Sequence, residues 1–389
     1  MAESSAILSE QPRRNRRIMI VAGEASGDLH GGDLARQILA LDPSCELFGI
    51  AGAEMRAAGV HANVRIEDIH GLGLTELIST IGLSLGTMRD LRRVVRTDKP
   101  DLVILIDYAE FNLVLAGIAK RAGVPVLYYI APQVWAWRRG RIRKIVERSS
   151  RLAVVLPFEK ELYGLAGDRV SFVGHPLLDR VAPAQGREET LARHGLPKYS
   201  KLLALLPGSR RAEVRYILPP MVEAARILAH DHRLVPVIAL APTLTPEQLA
   251  QQAKIDLDGI RIIQGDTYSI IGASEVALVA SGTATLETAL LGCPMVIAYK
   301  VSPLTYRLGR MLVTGVNFIG MPNILAGENI VPELIQGEVT ARNLVRAAEP
   351  LLHDSIRNQT ISRLNSLRGR LGAPGAAARV AALALSMIQ

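Results

Sequence analysis

The sequence predicts an α/β protein made of two parallel-sheet, Rossmann-like units in series, with helices at the C-terminus. Three observations predict it. Short aliphatic and β-branched runs alternate with stretches of helical periodicity. That alternation restarts after a seam at Pro176–Pro197, which carries Pro183, Gly186 and Pro197 in a mixed polar stretch. Finally, 389 residues are too many for one compact core and about right for two domains. The expected division is a polar basic tail over 1–17, a first domain over 18–176, a second over 177–350, and a helical segment over 351–389.

The first unit opens with Ile18–Ala22, an unbroken apolar run of the kind buried on both faces of a parallel sheet. A helix is expected over Leu29–Leu41, then strands at Leu47–Ala51, Leu102–Ile106, Val126–Ile130, Leu152–Leu156 and Val170–Val173, with a helix over Phe111–Ala122. Between the second and third strands, Leu74, Leu77, Ile78, Ile81, Leu85, Met88 and Leu91 repeat at helical spacing, and Arg89, Arg92, Arg93 and Arg96 form a cationic stripe at i, i+3, i+4 and i+7. Such a basic amphipathic helix over 74–96 either lies at an anionic membrane surface or packs its apolar face into a core and solvates the rest. The second unit repeats the scheme. Strands are expected at Leu202–Leu206, Val235–Leu240, Arg261–Gln264, Val276–Ala280 and Met295–Tyr299, and helices at Ala212–Ala229 and Thr283–Leu291. From Ala341 the chain reads as helical, broken at Gly372–Gly375.

Composition narrows the function. Hydrophobic residues make up 49% and charged residues 21%, which excludes a disordered chain. A net charge of +8 points to an anionic partner. Aromatics at 4%, with no recognised nucleic-acid module, place nucleic acid last among those partners. Cys45 and Cys293 are too few for a disulfide framework or a cysteine-built zinc site, as expected of a reducing cytoplasm. The apolar run after Arg17 is too short for a signal-peptide core. The longest uncharged stretch, Met311–Gly327, is 17 residues broken by Gly, Pro and Asn, short of a membrane span. The expectation is a soluble or peripheral protein.

Four segments are placed to carry chemistry. Gly23-Glu24-Ala25-Ser26-Gly27-Asp28 joins the first strand to the first helix, where backbone N–H groups can face a ligand. It matches neither G-x-G-x-x-G nor a Walker A loop, and a tight turn with Asp28 as helix cap explains it equally well. Asp107 ends the apolar strand Leu102–Ile106, so its carboxylate emerges at the sheet edge as a candidate general base. Its alternative is an N-cap of the next helix, with Glu110 as the competing base. Gly208 and Ser209 follow the first strand of the second unit and offer donors to a phosphate, with Arg210 as a guanidinium fork or a surface cation. Ser281, Gly282 and Thr283 open another helix after a strand, with Glu287 one turn inside for a ribose diol or for solvent. Two anion-ready turns in one unit make a nucleoside diphosphate the leading ligand. Asp256-x-Asp258 and His230-x-His232 read as a solvated face and a helix end, so no metal and no cofactor is expected.

Several stretches, in order, carry a resemblance. They are Val21–Asp28, Gln133-Val134-Trp135-Ala136-Trp137-Arg138, Leu156-Pro157-Phe158-Glu159, Leu205–Arg210, Ala280–Ala284 and Met321-Pro322-Asn323-Ile324-Leu325-Ala326-Gly327. Together they resemble the lipid-A-disaccharide synthase family of inverting glycosyltransferases over nearly the whole chain. The resemblance implies a GT-B fold, two Rossmann-like domains facing across a cleft, with the nucleotide mainly on the second. It implies transfer of diacylglucosamine from UDP-2,3-diacylglucosamine to 2,3-diacylglucosamine 1-phosphate, giving the β-1,6 disaccharide 1-phosphate and UDP. It also implies a peripheral protein at the cytoplasmic face of the inner membrane, dimeric in some members, with the C-terminal segment 351–389 crossing over or exchanged between protomers. Asp107 matches the family's essential aspartate, Arg210 its essential arginine and Asn323 its functionally important asparagine, while Glu287 matches the ribose-binding glutamate of related enzymes. Ala131-Pro132-Gln133 stands where Ser-Pro-Ser is frequent, and Met321 where Leu is, neither at a proposed catalytic group. Other readings of the same frame are a transferase acting on lipid-linked peptidoglycan precursors, a UDP-sugar 2-epimerase and a non-catalytic membrane-binding protein.

Overall fold

The structure, a computed structural model, describes residues 15–69, 76–132, 134, 140–182, 185–209, 211–241, 244–303, 306–307 and 317–388. These form two compact units. The first takes in the chain up to Val134, Gly140–Pro176 and, after a long excursion, Gly375–Gln389. The second is Leu177–Pro374.

The first unit is a seven-stranded parallel sheet: β1 (Arg17–Ala22), β2 (Glu46–Ala51), β3 (His61–Arg65), β4 (Leu102–Ile106), β5 (Val126–Tyr129), β6 (Arg151–Val154) and β7 (Val170–Phe172), in the order β3-β2-β1-β4-β5-β6-β7. All five residues of β4 are 0% exposed, which is why the strand carries no polar residue. The edge strand β3 shows the opposite pattern. Its residues His61-Ala-Asn-Val-Arg alternate exposed and half-buried, so its sequence lacks the apolar run that marks its neighbours. The helix Glu76–Thr97 covers the amphipathic stretch; Leu91 and Val95 are buried while Arg89, Arg92, Arg93 and Arg96 are exposed. Leu74 lies outside the described residues.

The second unit has six parallel strands: β8 (Lys201–Leu206), β9 (Leu234–Leu240), β10 (Arg261–Gln264), β11 (Ser274–Ala280), β12 (Met295–Tyr299) and β13 (Glu333–Ile335), in the order β10-β9-β8-β11-β12-β13. Its core joins β8, β9 and β11 to the helix Arg211–His232 through Val214, Leu218, Met221 and Leu228. The three-residue edge strand β13 is too short to show a sequence pattern.

Among the last three helices, Ala341–Ala348 and Asp354–Arg370 belong to the second unit, whereas Ala376–Ser386 packs on the helix Ala25–Leu41 of the first. Its buried Ala376, Ala377, Ala381 and Ala384 are small enough for close helix approach, and the Arg379 Nε donates to the Val173 carbonyl at 2.9 Å. Among the described residues no helix is long and apolar enough to cross a membrane.

Each sheet reverses its winding once, between β1 and β4 in the first unit and between β8 and β11 in the second. At such a switch point the loops leaving neighbouring strands diverge to opposite faces and leave a crevice at the strand C-termini. The four segments singled out in the sequence leave these four strands.

Candidate active site

In the first unit, Ala22 of β1 lies opposite Ile106 of β4, so Gly23 and Asp107 leave the sheet side by side. The helix after β1 begins at Ala25, four residues before the expected Leu29, with Glu24 at its N-cap. Ser26, Gly27 and Asp28 are therefore helical, and the mouth of the sheet is formed by Gly23 and the exposed Glu24 and Ala25.

Asp28 corrects both readings made from sequence. It is buried, and its carboxylate accepts the backbone N–H groups of Gly52, Glu54 and Met55 at 2.8, 2.9 and 3.1 Å. These are the open donors at the start of the helix Ala53–Ala57, so Asp28 caps a neighbouring helix and neither its own helix nor a ligand. Gly27 is likewise a packing residue, since a Cβ there would lie 3.3 Å from that of Ala22. Ser26 remains half-buried near the mouth.

Asp107 is one residue past β4 and Tyr108, not Asp107, is the N-cap of the helix Ala109–Arg121. The capping alternative for Asp107 therefore falls. Both residues adopt left-handed backbone, with φ of 47° and 48°. Side chains with a Cβ rarely take up this conformation. The Asp107 carbonyl accepts the Tyr128 hydroxyl and the Asn112 Nδ2, each at 2.9 Å. Burial pushes the Tyr128 phenol well above its usual range, helped by Asp107, so the hydroxyl stays a donor. Glu110, the competing base, is exposed and ion-paired with Arg141. Desolvation pushes the His175 imidazole down to about 3, with nearby His30 also disfavouring its charged form.

In the second unit, Leu206 of β8 lies opposite Val279 of β11, which brings the Gly208–Ser209 and Ser281–Thr283 turns to one mouth. Gly208 takes φ 103°, and a Cβ there would lie 2.4 Å from the Glu213 carboxylate. The Ser209 N–H donates to that carboxylate at 3.3 Å. Glu213 is a residue the sequence reading missed; its only sequence signal is a glutamate four residues after Ser209, in the first turn of a helix. Arg210 lies outside the described residues. Gly282 adopts φ 156° and ψ −161°, a region open essentially to glycine alone, and the turn is fixed by the Thr285 hydroxyl donating to the Gly282 carbonyl at 2.8 Å. Gly282 and Thr283 are exposed at the start of the helix Thr283–Leu290, where a bound anion meets the positive end of the helix dipole.

Glu287 sits one turn inside, accepting the Tyr268 hydroxyl at 2.8 Å. Burial raises its carboxyl above the ordinary 4.5, and the Tyr268 hydrogen bond offsets this only in part. A pKa raised by folding means that the folded state holds the proton more tightly, so stability is greater at low pH and falls as pH rises from 4.5 through the raised value. Glu287→Gln should therefore unfold at a higher temperature than the parent near pH 7. The gain should vanish near pH 4, a comparison that thermal melts at the two pH values make directly.

Asn323 is turned inward. It is 0% exposed in the helix Met321–Ala326. Its Oδ1 accepts the Ile330 and Val331 N–H groups at 2.9 and 3.1 Å, and its Nδ2 lies 2.8–3.1 Å from the Val331 carbonyl, Glu333 Oε1 and Asn329 Oδ1. An amide engaged at both ends has no capacity left for a ligand. Asn323 braces the loop 329–333.

Glu159 of the Leu156–Glu159 segment is similarly internal, accepting the Val155 and Leu156 N–H groups. Burial pushes the Cys45 and Cys293 thiols up to about 11 and about 12, so neither supplies a thiolate at neutral pH. Asp256 pairs with Arg226, and His232 with Glu349. Among the described residues no three His, Cys, Asp or Glu side chains converge as metal ligands. A groove of about 570 Å³ beside β13, lined by Leu334, Arg346, Leu351 and Arg363 among others, holds none of the candidate residues.

Solved structures share the architecture. A S. aureus MnaA–UDP co-structure superposes with TM-score 0.64 at 13% identity, covering 94% of each chain. The glycotransferase of kitacinnamycin gives 0.63 at 16% identity over 97% of this chain and all of the other. At such identities the likeness carries the fold alone, and epimerases share that fold: the UDP-GlcNAc 2-epimerase of Neisseria meningitidis gives 0.63 over 95% of this chain and 100% of its own. Sequence separates them. Residues 18–376 match the family model described as lipid-A-disaccharide synthetase. The lipid-A-disaccharide synthases of Syntrophus aciditrophicus, Geobacter metallireducens and Myxococcus xanthus are 47%, 45% and 39% identical, each over 96% of this chain and 97–98% of their own. On these matches over nearly the whole length, and on a GT-B frame, the chain belongs to the lipid-A-disaccharide synthase family of glycosyltransferases.

Proposed function

We propose that the protein transfers 2,3-diacylglucosamine from UDP-2,3-diacylglucosamine to the 6-hydroxyl of 2,3-diacylglucosamine 1-phosphate, with inversion. The observation that carries the reading is Asp107, held beside Gly23 at the mouth between β1 and β4 in a backbone conformation that needs active support. Asp107 accepts the acceptor hydroxyl's proton as the oxygen attacks the anomeric carbon. The bond from that carbon to the diphosphate breaks and its electron pair leaves with UDP. Negative charge then develops on the leaving diphosphate. The exposed N–H groups at Gly282–Thr283, the Gly208–Ser209 turn and the Arg210 guanidinium stabilise it. Glu287 takes the ribose diol. Both glycolipid substrates reside in a bilayer, and the cationic stripe Arg89, Arg92, Arg93 and Arg96 supplies attraction to its anionic surface, at about 1 kcal/mol per cation.

The reaction is tested with both glycolipids in detergent and EDTA, following UDP and disaccharide by mass spectrometry. Stoichiometric UDP and disaccharide support the reading. Donor hydrolysis without disaccharide indicates another acceptor, and interconversion of the donor sugar without UDP release indicates an epimerase. For the surface, replacing the four arginines by glutamine should weaken sedimentation with anionic vesicles about tenfold or more, since a loss of 1.4 kcal/mol is already a factor of ten. Unchanged sedimentation removes the helix Glu76–Thr97 from the membrane contact.

A further inference from the structure

We infer that Tyr128 and Asn112 are positioning residues that aim the Asp107 carboxylate. The inference rests on the reading of Asp107 as the base.

Two successive residues with side chains, Asp107 and Tyr108, lie in the left-handed region. Such backbone is strained for a residue with a side chain and persists only where its surroundings dictate it. Three separate sets of contacts do so here. The Asp107 N–H donates to the Ile130 carbonyl at 3.2 Å. The Asp107 carbonyl takes two side-chain donors at once, from Tyr128 and Asn112, and the Asn112 Nδ2 also reaches the Ile106 carbonyl at 3.1 Å. The Tyr108 ring covers Gly23, where any Cβ would lie 2.2 Å from it, and stacks on Phe111 at 5.1 Å.

The second set is the unusual one. Tyr128 and Asn112 are both fully buried, and polar groups are seldom placed so deep without a partner to satisfy. Here both are directed at a single backbone carbonyl. The Asn112 Oδ1 is buried with no hydrogen bond among the described residues, so its donor side sets the orientation of the amide. The left-handed backbone at residues 107 and 108 sets the direction in which the Asp107 side chain leaves the strand. Clamping the carbonyl of the base fixes the backbone from which its carboxylate projects.

The test is a double-mutant cycle. Tyr128→Phe removes one hydroxyl and keeps the packing, and should lower kcat about 10- to 100-fold, the scale on which small misplacements of reacting groups act. KM and UDP affinity should change less than twofold, and the melting temperature little. Because Tyr128 acts through Asp107, the same change made in the Asp107→Asn enzyme should cause no further loss. Normal kcat in folded Tyr128→Phe overturns the inference, as does a loss that persists undiminished in the Asp107→Asn background. Asn112→Ala carries the same cycle if Tyr128→Phe does not fold. If Asp107→Asn alone keeps full turnover, the base reading has failed and the positioning inference falls with it. If Asp107→Asn is crippled while both clamp variants are normal, only the positioning inference fails.

Discussion

Asp107→Asn should lower turnover by about 10²–10⁴-fold, the usual contribution of a general base. The asparagine keeps the size and the polar surface of the aspartate but cannot accept the hydroxyl proton. The backbone clamp on residue 107 uses its N–H and carbonyl, so it survives the substitution. UDP affinity should stay within twofold, because the turns assigned to the nucleotide belong to β8 and β11 of the other unit. Single-turnover assays and UDP titration calorimetry measure the two quantities separately. Turnover within threefold of the parent would move the base to another carboxylate. Glu110, exposed and already paired with Arg141, would then be tested next.

Asn323→Ala should damage stability instead of chemistry. It strips hydrogen bonds from the Ile330 and Val331 N–H groups and from the Val331 carbonyl, in a pocket that water does not reach. Each buried group left unpaired costs about 1–3 kcal/mol, so a loss of about 3 kcal/mol or more is expected. For a unit of roughly 200 residues that is a fall in melting temperature of about 6–12 °C. Glu333, which also accepts from the Ile319 and Gly320 N–H groups, loses its amide partner in the same step. Activity per folded molecule, measured below the transition, should stay near that of the parent. An inactive variant melting within 2 °C of the parent would return Asn323 to the chemistry.

These two residues mark the limit of what a sequence shows. Asp107 follows an apolar strand and Asn323 stands in one of the segments that carry the resemblance, and the resemblance to the family assigns both to function. Asp107 stands out as a candidate because an unbroken apolar strand must end at the sheet edge, where a carboxylate has few structural reasons to be. The internal bonds of Asn323 were not legible because its hydrogen-bond partners lie six to ten residues further on, in a loop with no periodic signal. Asp28 was misread for the same reason at longer range: the donors it caps are 24 to 27 residues away. Glu213, missed altogether, shows its place only once Gly208 turns back over it.

The regular elements divide along similar lines. The central strands β1, β4, β8 and β11 are buried apolar runs and were visible as such, because burial on both faces permits little else. Edge strands β3 and β13 were not, because half-exposed or three-residue strands carry no distinctive pattern. The alternation of strand and helix, the two anion-ready turns and the candidate base were thus set by the sequence alone, through burial and through the backbone needs of glycine. Which carboxylates and amides were already committed to the protein's own N–H groups, and that the last helix returns to the first unit, was decided only in three dimensions. Hydrogen bonds and helix packing join residues that chain order keeps far apart, and no local pattern records that pairing.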